Sequence, residues 1–141
     1  MIELVQEATP ELHEALRRLL PQLSRTARPL SEGDLGSLVR SDAVRLLVAR
    51  DADQNIVGTL ALALFLMPTG MRAWIDDVVV DETARGQGVG ESLTAAALEI
   101  ARSEGATRVD LTSRPSREAA NRLYRRMGFE QRDTNLYRYR L

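Results

Sequence analysis

Three glycines at every second position, in Arg85-Gly86-Gln87-Gly88-Val89-Gly90, separate a β-branched run from an amphipathic helical pattern, and no other stretch restricts the fold as much. Trp74 to Val80 is aromatic and β-branched, which suits a strand. Val89, Leu93, Ala97 and Ile100 then recur at helical spacing, and Gly105 stands where a C′ glycine would end the helix. A strand turning through glycines into a helix presents free N–H groups and the positive end of a helix dipole where no Cβ obstructs a ligand. Such a corner is an anion site, and the anion it suits is a phosphate.

Which phosphate can be narrowed. The nucleoside-triphosphate loop GxxxxGK[ST] is excluded because the chain contains no lysine. The dinucleotide fingerprint GxGxxG fits at Gly86 and Gly88, and Asp110 falls at about the right ~20 residues downstream. Glu91, however, stands where the third glycine should be, and the corner comes in mid-chain, after several strands. The pattern that is fully met is R-x-x-G-x-G, filled by Arg85, Gly88 and Gly90.

The 141 residues form one domain, 1–141, with a hydrophobic share of 44% that supports a continuous core. There is no cysteine and a single histidine, so disulfides, thiolate metal sites and a cysteine nucleophile drop out, and no metal is expected. The N-terminus carries Glu3 and Glu7 rather than a basic start and an apolar run, so it reads as no signal peptide. The longest apolar stretch, Ile56 to Met67, falls well short of the ~20 residues that span a bilayer. A soluble, cytoplasmic chain without a membrane partner is expected. Net charge is −1, but residues 106–141 hold nine arginines against four acids. That surplus reads either as a solvated helix face with an exposed hairpin or as attraction for a polyphosphate. With aromatics at 4% and no recognition motif, a nucleic-acid partner is not expected.

Periodicity gives the order β-α-α-β-β-β-α-β-α-β-β. Ile2 to Val5 is a strand; Thr9-Pro10 caps a helix whose face is Leu12, Leu16, Leu19 and Leu20; Pro21 to Pro29 reads as a loop. Ser31-x-x-Asp34 opens a second helix through Leu38. Ala43 to Arg50, Ile56 to Met67 and Arg72 to Val80 are successive antiparallel strands, and Thr107 to Thr112 returns parallel to the last of them. Ser116 caps a helix with Ala120, Leu123, Tyr124 and Met127 on one face, and Phe129 to Arg132 and Asn135 to Leu141 make a closing hairpin.

Two acids, Asp76 and Asp77, interrupt the apolar strand. A regular strand would aim one at each face of the sheet. Burying an unpaired carboxylate is expensive, so each needs a cation, a water or a cleft. An ion pair with an arginine and a role as a general base both account for them. Tyr124 reads from periodicity alone as a helix-face residue with its hydroxyl at the rim.

The R-x-x-G-x-G corner after an acid-bearing strand, together with the segment Ala119-Ala120-Asn121-Arg122-Leu123-Tyr124-Arg125-Arg126-Met127-Gly128-Phe129, resembles the GNAT superfamily of acyl-CoA-dependent N-acyltransferases. The resemblance implies an α/β (α+β) GNAT fold: a mixed, mostly antiparallel sheet of about seven strands with four helices. It implies that acetyl-CoA or coenzyme A is the co-substrate, with no metal. Backbone around Val78, Val79 and Val80 would hold pantetheine in a slot where the strand splays from its parallel neighbour. Arg85, Gly86, Gln87, Gly88, Val89, Gly90 and Glu91 would hold the pyrophosphate. Tyr124 would protonate the departing thiolate, and an acid in the strand, Asp76 or Asp77, would serve the amine. Where the family often has an asparagine seven residues before the tyrosine, this chain has Arg117, with Asn121 the nearby amide; Thr112 stands where some members carry a glutamate. The implied activity is direct transfer of an acyl group to a primary amine, on a small molecule or a peptide, with a homodimer left open. The alternative is a non-catalytic acyl-CoA-binding or regulatory module of the same fold.

Overall fold

The computed structural model describes residues 1–141. Strand β1 (Ile2–Leu4) leads into helix α1 (Pro10–Leu23), which starts where Thr9 Oγ1 accepts from the Leu12 N–H at 3.1 Å. Helix α2 (Glu32–Arg40) starts the same way, with Ser31 Oγ accepting from the Asp34 N–H at 3.1 Å. Between them, a ring N–H of His13 donates to the Leu30 carbonyl at 2.7 Å and ties the connection back to α1. Helix α1 runs through Pro21, which the sequence reading placed in the loop. Leu23 packs against the core beyond it, and that contact outweighs the one hydrogen bond a proline removes.

Strands β2 (Val44–Arg50), β3 (Ile56–Met67) and β4 (Gly70–Val80) follow, then a 3-10 turn (Glu82–Ala84), helix α3 (Val89–Ser103), strand β5 (Val109–Asp110) and helix α4 (Glu118–Arg126). One sheet has the order β1-β2-β3-β4-β5, antiparallel throughout except for the parallel β4–β5 pair. Helices cover both faces. On one, Leu60, Leu62, Leu64, Ala73 and Ile75 pack under Leu93, Ala97 and Ala101 of α3. On the other, Leu46, Val48 and Val79 pack under Leu12, Leu16 and Leu19 of α1 and Leu35 of α2. No helix is long and apolar enough to cross a membrane.

Four helices and a mixed, mostly antiparallel sheet agree with the sequence reading; the strand count does not. The sheet has five strands, not about seven. The closing hairpin Phe129–Arg132 and Asn135–Leu141 is absent as strands, and β5 is reduced to two residues. Tyr137 and Tyr139 are 87% and 88% exposed, so the segment buries no face of its own. Aromatic and β-branched composition produces a strand only when a paired neighbour supplies something to pack on, and β5 is too short an edge to template one. Helix α4 also starts later than expected: its N-cap is Arg117, not Ser116, and no side chain caps it.

Gly58 of β3, unremarkable in the sequence, lies directly under the start of α3. A Cβ there would lie 3.0 Å from Val89 Cγ1, 3.1 Å from Leu93 Cδ1 and 3.3 Å from the Val79 carbonyl oxygen. Gly58→Val should therefore push α3 off its seat and cost about 1–3 kcal/mol, the usual scale of overpacking. Urea unfolding reads this as a lower midpoint at unchanged slope; an unshifted midpoint would contradict the packing described.

Candidate active site

Strand β4 carries one residue too many. Thr59 of β3 faces Val79 and Ala61 faces Asp76, which leaves Leu60 opposite both Asp77 and Val78. This is a β-bulge, and Asp77 takes up the irregularity at φ +47°, in the left-handed region that Asp tolerates better than most residues. The bulge shifts the alternation. Ala73 and Ile75 point to the α3 side before it; Val78 and Val80 do so after it, and Val79 turns to the α1 side.

The expectation that Asp76 and Asp77 would point into opposite helix-covered faces is therefore corrected: the bulge brings Asp77 out of the packed layer, and both residues lie at the surface, the Asp77 carboxyl partly covered. They stay close, the Asp77 N–H donating to Asp76 Oδ1 at 2.8 Å. Neither carboxylate forms an ion pair, although nineteen arginines are present. The ion-pair explanation of the acids falls away. Partial burial, aided by the negative charge of Asp76, pushes the Asp77 carboxyl above its ordinary pKa.

Beside the bulge the sheet opens. Strands β4 and β5 pair only at Ala73–Val109 and Trp74–Asp110, so Ile75 to Val80 have no strand on that side. The free edge runs down to Val80 and, past the 3-10 turn, into the glycine corner. Gly86 and Gly88 sit at φ +77° and +80°, and a Cβ at either would meet no atom within 4 Å. Helix α3 follows with no side-chain cap; its first bond is from the Ser92 N–H to the Gly88 carbonyl at 3.0 Å, which leaves the N–H groups of Val89, Gly90 and Glu91 without helical acceptors. Backbone donors without helical acceptors, at a helix N-terminus beside two unobstructed glycines, fit a pyrophosphate. Gly90 has a different task. It lies against Leu123 of α4, whose Cδ2 would be in van der Waals contact with a Cβ there, at 3.4 Å.

Helix α4 is thereby docked on the corner, and Arg126 adds an ion pair to Glu91 at 3.1 Å. Tyr124, next to Leu123, is half-buried with Phe129 edge-on at 5.5 Å between ring centroids. Burial pushes its phenol pKa up, against a smaller pull from Arg117, so the hydroxyl keeps its proton at neutral pH. The Asn121 amide nitrogen donates to the carbonyls of both Arg114 and Arg117 at 2.9 Å, which commits its donors to the turn before α4. Arg85 is exposed, and its Nε donates to the Val80 carbonyl at 3.3 Å. A separate hollow of about 220 Å³ beside β1 and the start of α1 shares no lining residue with β4, α3 or α4. It is bridged by Arg50, ion-paired to Glu3 at 2.8 Å and Glu11 at 2.7 Å, and serves the fold.

An open strand edge bearing acids thus runs into an uncapped helix N-terminus. Residues 4–129 match the acetyltransferase (GNAT) family, and the chain belongs to it. N-alpha-acetyltransferase 30 of Schizosaccharomyces pombe (strain 972 / ATCC 24843) is 34% identical over 94 residues, 67% of this chain and 62% of that protein, so the chain spans less than two thirds of this curated relative. Among solved structures, an acetyltransferase of Trypanosoma brucei superposes with a TM-score of 0.80 at 27% identity, covering 100% of this chain and 99% of that one. An aminoglycoside acetyltransferase from an uncultured soil metagenomic sample, in complex with sisomicin, reaches a TM-score of 0.86 at 20% identity, covering 100% and 95%; it shares the fold. The family transfers acyl groups and uses acetyl-CoA.

The electrostatics of the acid pair can be checked directly. Carboxyl-carbon NMR titration should find Asp77 above the ordinary ~3.9 of an aspartate. Asp76→Asn removes a like charge and should bring that titration down, toward but not to the ordinary value, because burial remains. The sign for stability follows. A folded pKa above the unfolded one means that ionised Asp77 weakens the fold at neutral pH, and the loss fades as pH falls through the folded pKa toward the unfolded value. An Asp77 that titrates normally in the wild-type chain would contradict the partial burial.

Proposed function

We propose that the chain transfers an acetyl group from acetyl-CoA to a primary amine by direct attack within a ternary complex. The observation that carries this reading is the unpaired carboxylate pair Asp76–Asp77, placed at the bulge of a strand whose free edge leads to the uncapped start of α3. Acetyl-CoA supplies the activated thioester. Amides from Gly86 to Glu91 hold the pyrophosphate, and the free edge at Val78 to Val80 holds the pantetheine arm and polarises the acyl carbonyl. Asp77, whose pKa is raised by partial burial and then by the charge of Asp76, accepts the proton of the ammonium directly or through a water. As the C–N bond forms and the C–S bond breaks, Tyr124 donates its proton to the sulfur, and the proton lost by the attacking nitrogen restores the phenol, directly or through water. Fixing both reactants on one sheet removes much of the entropic cost of their meeting. No covalent enzyme intermediate is needed.

The name of the 34%-identical relative favours an α-amino group, as at a polypeptide N-terminus, as the acceptor. The chemistry agrees with that choice. An α-ammonium has a pKa of about 7.7–8.0 against about 10.4 for a lysine side chain, so it gives up its proton to a carboxylate of raised pKa more readily.

Two substitutions test the reading. Gly88→Val places a β-branched side chain at φ +80°, in the space assigned to the phosphate, and should abolish coenzyme A binding measured by calorimetry in a chain that remains folded. Undiminished affinity in that variant would remove the corner from the site. Tyr124→Phe keeps the ring and its contact with Phe129, so acetyl-CoA affinity should hold while kcat falls by about 10²-fold, the signature of a bond made in the transition state. Unchanged affinity with unchanged kcat on a peptide acceptor, where chemistry limits the rate, would take Tyr124 out of the mechanism. Coenzyme A binding without turnover of any amine would instead mark a non-catalytic acyl-CoA-binding module.

A further inference from the structure

The glycine corner is held from behind by helix α1, through residues that no binding motif contains. Asp81, between the end of β4 and the 3-10 turn, is 7% exposed. Its Oδ1 accepts from the backbone N–H of Thr83 at 3.1 Å and from the Thr83 hydroxyl at 3.0 Å. Its Oδ2 accepts from Arg18 Nη1 on α1, and Nη2 of the same guanidinium donates to the Ile56 carbonyl at 2.7 Å. One turn further along α1, Gln22 Oε1 accepts from the Glu82 backbone N–H at 3.1 Å. The spacing of four puts Arg18 and Gln22 on one side of the helix, so both reach the same turn.

The mechanical consequence is specific. Gly86 and Gly88 impose little direction of their own, so the aim of the cradle has to come from its flanks. On the downstream side α3 is seated by Gly58 and Leu123. On the upstream side the Asp81 N–H is bonded to the Val57 carbonyl at 2.8 Å, and the remaining side-chain anchors are those to α1. A cradle of backbone donors binds tightly only when it is held near the geometry its ligand requires.

We propose that Arg18 and Gln22 are positioning residues for the coenzyme's pyrophosphate: acting through Asp81 and Glu82, they fix the turn that aims the Arg85–Gly90 corner. This rests on the reading of that corner as a coenzyme A site. Neither residue touches the coenzyme itself; both act on the backbone that does. The guanidinium is the stronger partner, since it bridges a buried carboxylate and a strand carbonyl at once.

The experiment compares Arg18→Met, Arg18→Lys and the double variant Arg18→Met/Gln22→Met with the wild-type chain, well below each melting temperature. Coenzyme A affinity is measured by calorimetry, and the affinity of pantetheine, which lacks the pyrophosphate, by NMR shift titration. The expected result is a loss of about tenfold in coenzyme A affinity for Arg18→Met, larger in the double variant and partly restored by Arg18→Lys, with pantetheine affinity unchanged. Two results overturn the proposal: variants that melt earlier yet bind coenzyme A as the wild type does, and variants that lose both ligands in proportion. A wild-type chain that binds neither ligand overturns the coenzyme site itself and the proposal with it.

Discussion

The extra residue opposite Leu60 governs what this sheet can do. A regular β4 would send Asp77 into the packed layer under α3, where an ionised carboxylate has no partner. With the bulge, Asp77 is extruded, and Val78 and Val80 take over the α3 side while Val79 serves α1. Both helical layers keep an unbroken apolar floor on either side of the irregularity. Asp77 accepts a left-handed backbone in exchange, at a cost of roughly 1–2 kcal/mol for a residue with a Cβ. Bulges bend the strand that carries them, and past Trp74 the parallel partner no longer follows β4. The acids and the free edge thus lie side by side on the same stretch of β4.

The corner at the end of that strand is built by different means. Its two positive-φ glycines, Gly86 and Gly88, provide the turn and the open space, whereas Gly90 provides a close approach for α4. The Leu123 contact and the Arg126–Glu91 pair bring Tyr124 to the same end of the sheet as the cradle. Substitutions at the three glycines therefore fail for different reasons. At Gly88 a side chain is strained by the positive φ; at Gly90 a branched one would reach beyond ordinary contact with α4.

What the sequence made legible was local. The glycine corner, the Thr9 and Ser31 caps, the three long strands and the apolar faces of α1 and α3 each follow from residues a few places apart. The bulge did not follow. Two acids in an apolar strand read equally as alternation, and only the register against Thr59 and Ala61 shows that one of them is extra. The C-terminal hairpin was over-read for the opposite reason: Tyr137 and Tyr139 have the right composition for a strand, but strand formation depends on a partner that composition does not reveal. The tie from Arg18 to Asp81 crosses 63 positions, and an arginine beside a leucine stripe looks like any solvated helix residue. Asp81 itself carried a weak signal, since an aspartate two residues before a threonine suits a turn cap.

The central claim is that coenzyme A lies along the free edge of β4 and ends on the start of α3. Backbone amide shifts of the isotope-labelled chain, followed during a coenzyme A titration, test it most directly. The predicted result is saturating shifts concentrated at Val78 to Val80 and Gly86 to Glu91, with β1 and α2 unmoved. Saturating shifts centred elsewhere, for instance on the hollow between β1 and α1, or no shifts at millimolar coenzyme A, would contradict the account.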